Sequence, residues 1–133
     1  MLLLDTNVLS ELLKPAPNQA ILAWLDAQPR SQLFTTSITR AEILYGVALL
    51  PRGSRREQLR KAAAAIFDED LEDKVLSFDA AAAARRKQAN KPIGQLDAMI
   101  VGIAQAHQPR LATRNIRNFV DCEIQLVDPW NLI

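Results

Sequence analysis

Three acids in this chain stand where a carboxylate could do more than face solvent. Asp5 ends the apolar run Met1-Leu2-Leu3-Leu4, Glu42 lies among Ile38, Tyr45 and Leu49 at helical spacing, and Asp97 opens an apolar helical stretch. Carboxylates gathered at one rim repel one another and raise each other's pKa unless a cation neutralises them, so their convergence would mark a cation site. Each acid also has a plainer explanation. An Asp at a strand-to-helix turn commonly caps the helix, Thr39-Arg40-Ala41-Glu42 has the Thr-x-x-Glu spacing of a capping box, and Asp97 gains from a helix dipole. Against the cap for Glu42 stands its apolar stripe, because a carboxylate is costly to bury without a partner. Asn115 and Asn118 follow a later apolar run. Asparagines there usually cap or turn the chain, and an amide oxygen can also serve as a neutral metal ligand. The remaining acids read mostly as solvated: Asp68-Glu69-Asp70 and Glu72-Asp73 as a charged turn, Asp26 and Glu57 on polar helix faces.

The elements that would position these residues alternate between β-like runs and helical periodicity. Residues 2–4 read as a strand buried on both faces, with Thr6 and Asn7 placed to cap the next helix. Residues 8–13 read as a short helix stopped by Lys14-Pro15-Ala16-Pro17, and residues 18–28 as a second helix with Ile21, Leu22, Trp24 and Leu25 apolar. Pro29 to Gln32 turn the chain into a strand at 33–36. A helix over 39–50 closes at Pro51-Arg52-Gly53-Ser54, and a basic, Ala-rich helix runs from about Arg55 to Phe67. Val75-Leu76 is a third strand, and Asp79 caps another Ala-rich helix that Lys91-Pro92-Ile93-Gly94 breaks. A helix over 96–107 precedes the last strands at 111–113 and 124–127. Strands separated by helices imply right-handed parallel crossovers with helices on both faces, and such sheets bind ligands at the carboxyl ends of their strands. No repeat, linker or second domain is signalled, so residues 1–133 are read as one domain.

With 133 residues, 49 % of them hydrophobic, the chain can bury a core without disulfides or a structural metal. Cys122 is the single cysteine, which excludes an internal disulfide and fits a reducing cytoplasm. No apolar run nears the roughly 18 residues of a bilayer span, and the N-terminus lacks the basic region and cleavage site of a secretory signal. A cytoplasmic protein without a membrane partner is expected. The net charge of +1 gives no global pull toward nucleic acid, which leaves local patches. Arg52, Arg55, Arg56, Arg60 and Lys61 form one basic group, Arg85, Arg86, Lys87 and Lys91 a second, and Arg110, Arg114 and Arg117 a third. Such groups are usually a solvated helix face; Arg114 and Arg117 are singled out by their closeness to Asn115. Trp24, Phe34, Phe67 and Trp130 read as core, so base stacking is not signalled.

Taken in order, the stretches carrying these residues resemble a known family. Leu3-Leu4-Asp5-Thr6-Asn7-Val8-Leu9-Ser10-Glu11 resembles the opening motif of PIN-domain nucleases. Ser37-Ile38-Thr39-Arg40-Ala41-Glu42-Ile43-Leu44-Tyr45-Gly46 resembles the second motif, Leu96-Asp97-Ala98-Met99-Ile100 the third, and Leu111-Ala112-Thr113-Arg114-Asn115 the fourth. Asp128-Pro129-Trp130 is similar to the close of the VapC and FitB toxin-like branch. The resemblance implies a PIN-like three-layer α/β fold with a central, mainly parallel sheet of about four to five strands flanked by helices. It implies a toxin of a type II toxin–antitoxin pair, a Mg2+- or Mn2+-dependent endoribonuclease that hydrolyses RNA phosphodiester bonds to leave 5′-phosphate and 3′-hydroxyl ends. It further implies a VapB/FitA-like antitoxin, operator DNA reached through the antitoxin complex, and a homodimer.

At the site, the resemblance groups Asp5, Glu42 and Asp97 at the carboxyl rim of the sheet as the catalytic residues. Asp5 and Asp97 would bind the metal directly and Glu42 directly or through a water, with Asn115 a further candidate ligand. Thr6, Asn7, Ser37 and Thr113 would support these groups, and Arg114 and Arg117 would contact RNA. Mg2+ suits such a set because it is hard and binds through one or two carboxylates plus waters and phosphate. Two departures stand out. Relatives often carry an acid where Asn115 or Asn118 stands, and their segment corresponding to Asp79–Asp97 is longer by roughly two helical turns. Asp121 lies nearby in sequence. The missing charge favours the alternative of a catalytically weak PIN-fold protein that works by binding antitoxin or nucleic acid. A phosphatase-like domain fits less well, because Asp5-Thr6-Asn7 lacks a second acid two residues on.

Overall fold

A strand covered on both faces buries every residue of an apolar run, and β1 (Leu2–Leu4) is such a strand: none of its three leucines is more than 2 % exposed. In the computed structural model, which describes residues 1–86 and 94–132, β1 is central in a five-stranded sheet. β2 (Leu33–Thr36) and β3 (Val75–Leu76) lie to one side, β4 (Arg110–Ala112) and β5 (Gln125–Val127) to the other, in the order β3-β2-β1-β4-β5. Every pairing is parallel, with Leu3 opposite Phe34 on one flank and Leu111 on the other.

Side chains alternate across a strand, and this divides the core. Leu2, Leu4 and Ala112 pack with Val8, Leu9, Ile21, Leu25, Ile43, Ala63 and Phe67. These come from α1 (Thr6–Leu12), α2 (Gln19–Asp26), α3 (Ser37–Ala48), α4 (Ser54–Ala65) and the turn after α4. Leu3 and Leu111 pack on the opposite face with Ile100, Val101, Ala104, Phe119 and Cys122, from α6 (Gln95–His107), α7 (Ile116–Phe119) and the turn beyond it. α5 (Ala80–Arg86) packs against α6. The result is the expected three-layer α/β arrangement. None of the described helices is long and apolar enough to cross a membrane.

Several local expectations are corrected. Thr6 and Asn7 do not cap the first helix. Asp5 does, its carboxylate accepting the Thr6 N–H. α3 begins two residues earlier than expected, and its cap is Thr36, whose Oγ1 accepts the Thr39 N–H at 3.0 Å. Thr39 is therefore inside the helix and the capping box does not form. Nor does α3 bury the stripe through Glu42: its buried positions are Thr39, Ile43 and Val47, while Tyr45 and Leu49 are 67 % and 66 % exposed. The Ala-rich α4 ends at Ala65 and widens into a π-turn over Ile66–Asp70, closed by the Leu71 N–H on the Ile66 carbonyl, which brings both Phe67 and Leu71 into the core. α7 was not expected. Of the basic groups, Lys87 and Lys91 lie outside the described residues, as does most of the expected break at 91–94. Arg110 opens β4 and so stands at the amino edge of the sheet, away from Arg114.

Removing a helix cap whose partner is buried costs about 1–2 kcal/mol. Thr36 is 1 % exposed, so Thr36→Ala is expected to lower unfolding free energy by that amount in urea titration. An unchanged midpoint would show that α3 starts without it.

Candidate active site at the carboxyl edge of the sheet

Because β1 and β2 run parallel, the turns into α1 and α3 emerge on the same edge. α6 leads into β4 at the opposite edge, so its first turn points back to this one. Asp5, Glu42 and Asp97 therefore meet, although they arrive from three separate stretches of chain. All three line one cavity of about 390 Å3 together with Thr6, Asn7, Ser10, Glu11, Lys14, Arg114, Asn115 and Trp130.

Asp5 is 4 % exposed and its carboxylate is well partnered. Oδ1 accepts the Thr6 N–H at 2.8 Å, and Oδ2 accepts the Thr113 hydroxyl at 2.7 Å and the Asn7 amide at 3.3 Å. The Asp5 N–H bonds the Ala112 carbonyl at 3.0 Å, so pairing of β1 with β4 is what delivers Thr113. Asn7 also donates to Thr113 Oγ1 at 3.2 Å and accepts the Arg114 N–H at 3.0 Å. Thr6 Oγ1 lies 3.0 Å from both Glu42 Oε1 and Thr39 Oγ1. A hydroxyl has one proton, so Thr6 gives its proton to the carboxylate and takes that of Thr39. Asp97 Oδ2 accepts the Asn118 amide at 3.0 Å.

A family model for the PIN domain matches residues 2–122. The chain belongs to the PIN-domain family. It is 37 % identical to the VapC ribonuclease Y4jK of Sinorhizobium fredii, over 98 % of this chain and 98 % of that protein. It is 33 % identical to the toxin FitB of Neisseria gonorrhoeae, over 98 % and 99 %. Among solved structures, that of FitAB bound to the IR36 DNA fragment superposes with a TM-score of 0.93 at 34 % identity, covering 100 % of this chain and 98 % of the other. The resemblance drawn from the motifs, and the fold it implied, are thereby shown.

Not every expected residue of this PIN domain reaches the acids. Thr6, Asn7 and Thr113 touch them. Ser37 does not: its Oγ accepts the Phe78 N–H at 3.1 Å and pins the chain beyond β3. Asn115 lines the cavity and donates its N–H to Thr113 Oγ1. Asn118, set beside it as a candidate amide, is the one that bonds an acid. Arg114 lines the cavity with its guanidinium 5.2 Å from the centre of the Trp130 ring, whereas Arg117 lines an adjoining hollow with Asn115 and Asn118. Trp130, expected in the core, is half-buried and serves both roles. Ser10, Glu11 and Lys14 were missed. Their signal was present: with Asn7 they stand at i, i+3, i+4 and i+7.

Electrostatics separate these acids from ordinary surface groups. Burial raises the Asp5 pKa most, opposed by the Thr113, Thr6 and Asn7 hydrogen bonds and reinforced by Asp97. Glu42 is raised by burial, against the Thr6 hydrogen bond and with the Asp5 and Asp97 charges adding to it. Asp97 is raised by burial, partly offset by Asn118. The donor set is all oxygen, which fits a hard divalent ion. Among the described residues no three His, Cys, Asp or Glu side chains are grouped closely enough to hold a metal ion by themselves. A cation here would complete its shell with water and substrate, the usual habit of Mg2+.

Raised carboxyl pKa values mean that the folded protein holds these protons more tightly than the unfolded chain. Without metal, the acids thus weaken folding as pH rises from the ordinary carboxylate range through the raised values. In chelator at pH 7, Glu42→Gln or Asp97→Asn is expected to raise Tm by about 1–3 °C, and the gain should shrink toward pH 4. Equal gains at both pH values would show that charge is not the cause.

Proposed function

We propose that this PIN-domain protein is the toxin of a type II toxin–antitoxin pair and acts as a divalent-cation-dependent endoribonuclease in the cytoplasm. The observation that carries the proposal is the meeting of Asp5, Glu42 and Asp97 in one cavity at the carboxyl edge, each with its pKa pushed up by burial. Asp5 and Asp97 would hold Mg2+ or Mn2+, with Glu42 bound directly or through water. Such an ion polarises phosphoryl oxygens and lowers the pKa of an attacking water. The protein's own part is orientation. Thr113, Asn7 and the Thr6 N–H fix the Asp5 carboxylate, the Thr6 hydroxyl fixes Glu42, and the Asn118 amide fixes Asp97.

The FitB and FitAB similarities support a small VapB/FitA-like antitoxin as partner, with operator DNA reached through that complex. A second copy of the chain would cover Tyr45 and Leu49, two exposed apolar side chains one turn apart at the end of α3. Leu49→Lys should convert a dimer to a monomer in sedimentation experiments, and a wild-type monomer would remove the homodimer.

Cleavage of RNA by purified protein tests the main reading. Asp5→Asn or Asp97→Asn should reduce the Mg2+-dependent rate by more than the roughly 10–100-fold typical of groups behind the ligands, and Thr113→Val by about that range. Chelator should abolish cleavage. Equal cleavage by Asp5→Asn would overturn the mechanism. An inactive wild type that still binds its antitoxin would favour the binding-protein reading, for which the Asn118 amide beside Asp97 is the supporting observation.

A further inference from the structure

Glu11 differs from the three acids that meet at the carboxyl edge. It is 6 % exposed, yet Lys14, with its Nζ at 2.6 Å, holds the Glu11 carboxyl below its usual range. The Asn18 N–H at 3.1 Å and the charge of Arg114 add to that effect. Asp5, Glu42 and Asp97 shift the other way. A carboxylate already matched by its own cation has little left to offer a divalent ion. Its work is mechanical: it ties the end of α1 to the Asn18 cap of α2. The bridge spans Lys14-Pro15-Ala16-Pro17, where two prolines fix φ.

The bridge leaves Lys14 at the cavity, with its side chain 56 % exposed. An ammonium has three donors, so the contact with Glu11 leaves capacity for a phosphate. Arg114 lines the same cavity and is held at both ends, its N–H on Asn7 Oδ1 at 3.0 Å and its guanidinium over Trp130. The cavity therefore has an acidic centre and a basic edge. RNA carries a negative charge at every linkage, and neutralising those charges dominates its affinity for proteins. A strand with one phosphate at the acids carries further phosphates on either side, and Lys14 and Arg114 are the cations lining the same cavity.

We propose that Lys14 and Arg114 grip the phosphates flanking the cleaved bond, and that Glu11 is the positioning residue that aims Lys14. The assignment rests on the nuclease reading, and binding separates the two. Affinity is measured by fluorescence anisotropy with a short labelled oligoribonucleotide in chelator, on Asp5→Asn protein so that nothing is cut. Lys14→Ala should weaken binding about three- to tenfold and reduce the slope of log affinity against log salt by about 0.7. Lys14→Arg should restore most of both. Glu11→Gln keeps an acceptor for the Asn18 N–H and leaves the Lys14 charge in place, so it should fold normally, keep the salt slope and weaken binding less than Lys14→Ala does. In cleavage, its loss should fall on KM. Lys74→Ala removes the same charge at the amino end of β3, on the opposite edge of the sheet, and should change nothing. Affinity and salt slope that match those of Lys74→Ala in the Lys14→Ala protein would overturn the proposal, as would RNA binding absent from the parent. Binding that depends on Lys14, with no metal-dependent cleavage by wild type, would instead overturn the nuclease reading and leave the basic edge standing.

Discussion

Ionised carboxylates drawn together out of water resist both their burial and one another, and the neighbours of Asp5, Glu42 and Asp97 are arranged around that cost. Hydroxyls, amides and a backbone N–H are turned toward the acids, and none of these brings a full positive charge. Thr113, Asn7 and the Thr6 N–H meet Asp5, the Thr6 hydroxyl meets Glu42, and Asn118 meets Asp97. Neutral donors stabilise the ionised forms without cancelling their charge. The site is left oriented and electrostatically unfinished, the condition in which a divalent cation gains most from entering.

The positive charge close at hand is kept to the edge. Glu11 uses Lys14, and Trp130 carries Arg114, so neither cation collapses onto the central acids. This division lets a protein of net charge +1 present opposite signs a short distance apart, suited to a ligand that is itself an anion. Asn118 extends the same logic. An acid there would add a further like charge beside Asp97, whereas the amide donates to it.

Much of the framework was legible because it is local. The apolar run of β1, its abrupt end at Asp5, and the alternation of short strands with helical periods specify a parallel sheet and the edge where ligands bind. Where reading by residue pattern failed, a competing local contact or the tertiary packing had overridden the expected one. Thr39 and Glu42 have a capping-box spacing, but Thr36 reaches the same N–H from one turn earlier and starts α3 sooner. The stripe of Ile38, Glu42, Tyr45 and Leu49 has helical spacing, yet the neighbouring face of Thr39, Ile43 and Val47 is the one that meets the core. α7 is a single turn, too short for a period to show. Lys14 looked like part of a stop signal because its ion pair with Glu11 is a fact about direction, which spacing alone does not settle.

The sequence by itself determined the order and kind of the main elements, the motif spacing that marks the PIN-domain family, and the chemical types able to meet at the strand ends. Only the tertiary structure decided which of them meet. Thr113 reaches Asp5 across 108 positions of sequence, and Thr6 reaches Glu42 across 36. It also separated Arg110 from Arg114, near neighbours in the polar stretch around β4, onto opposite edges of the sheet. The physical reason is that periodicity records which face of an element avoids water, whereas a site is made where separate elements end. Those endings are brought into register by the pairing of parallel strands, and no local pattern carries that information.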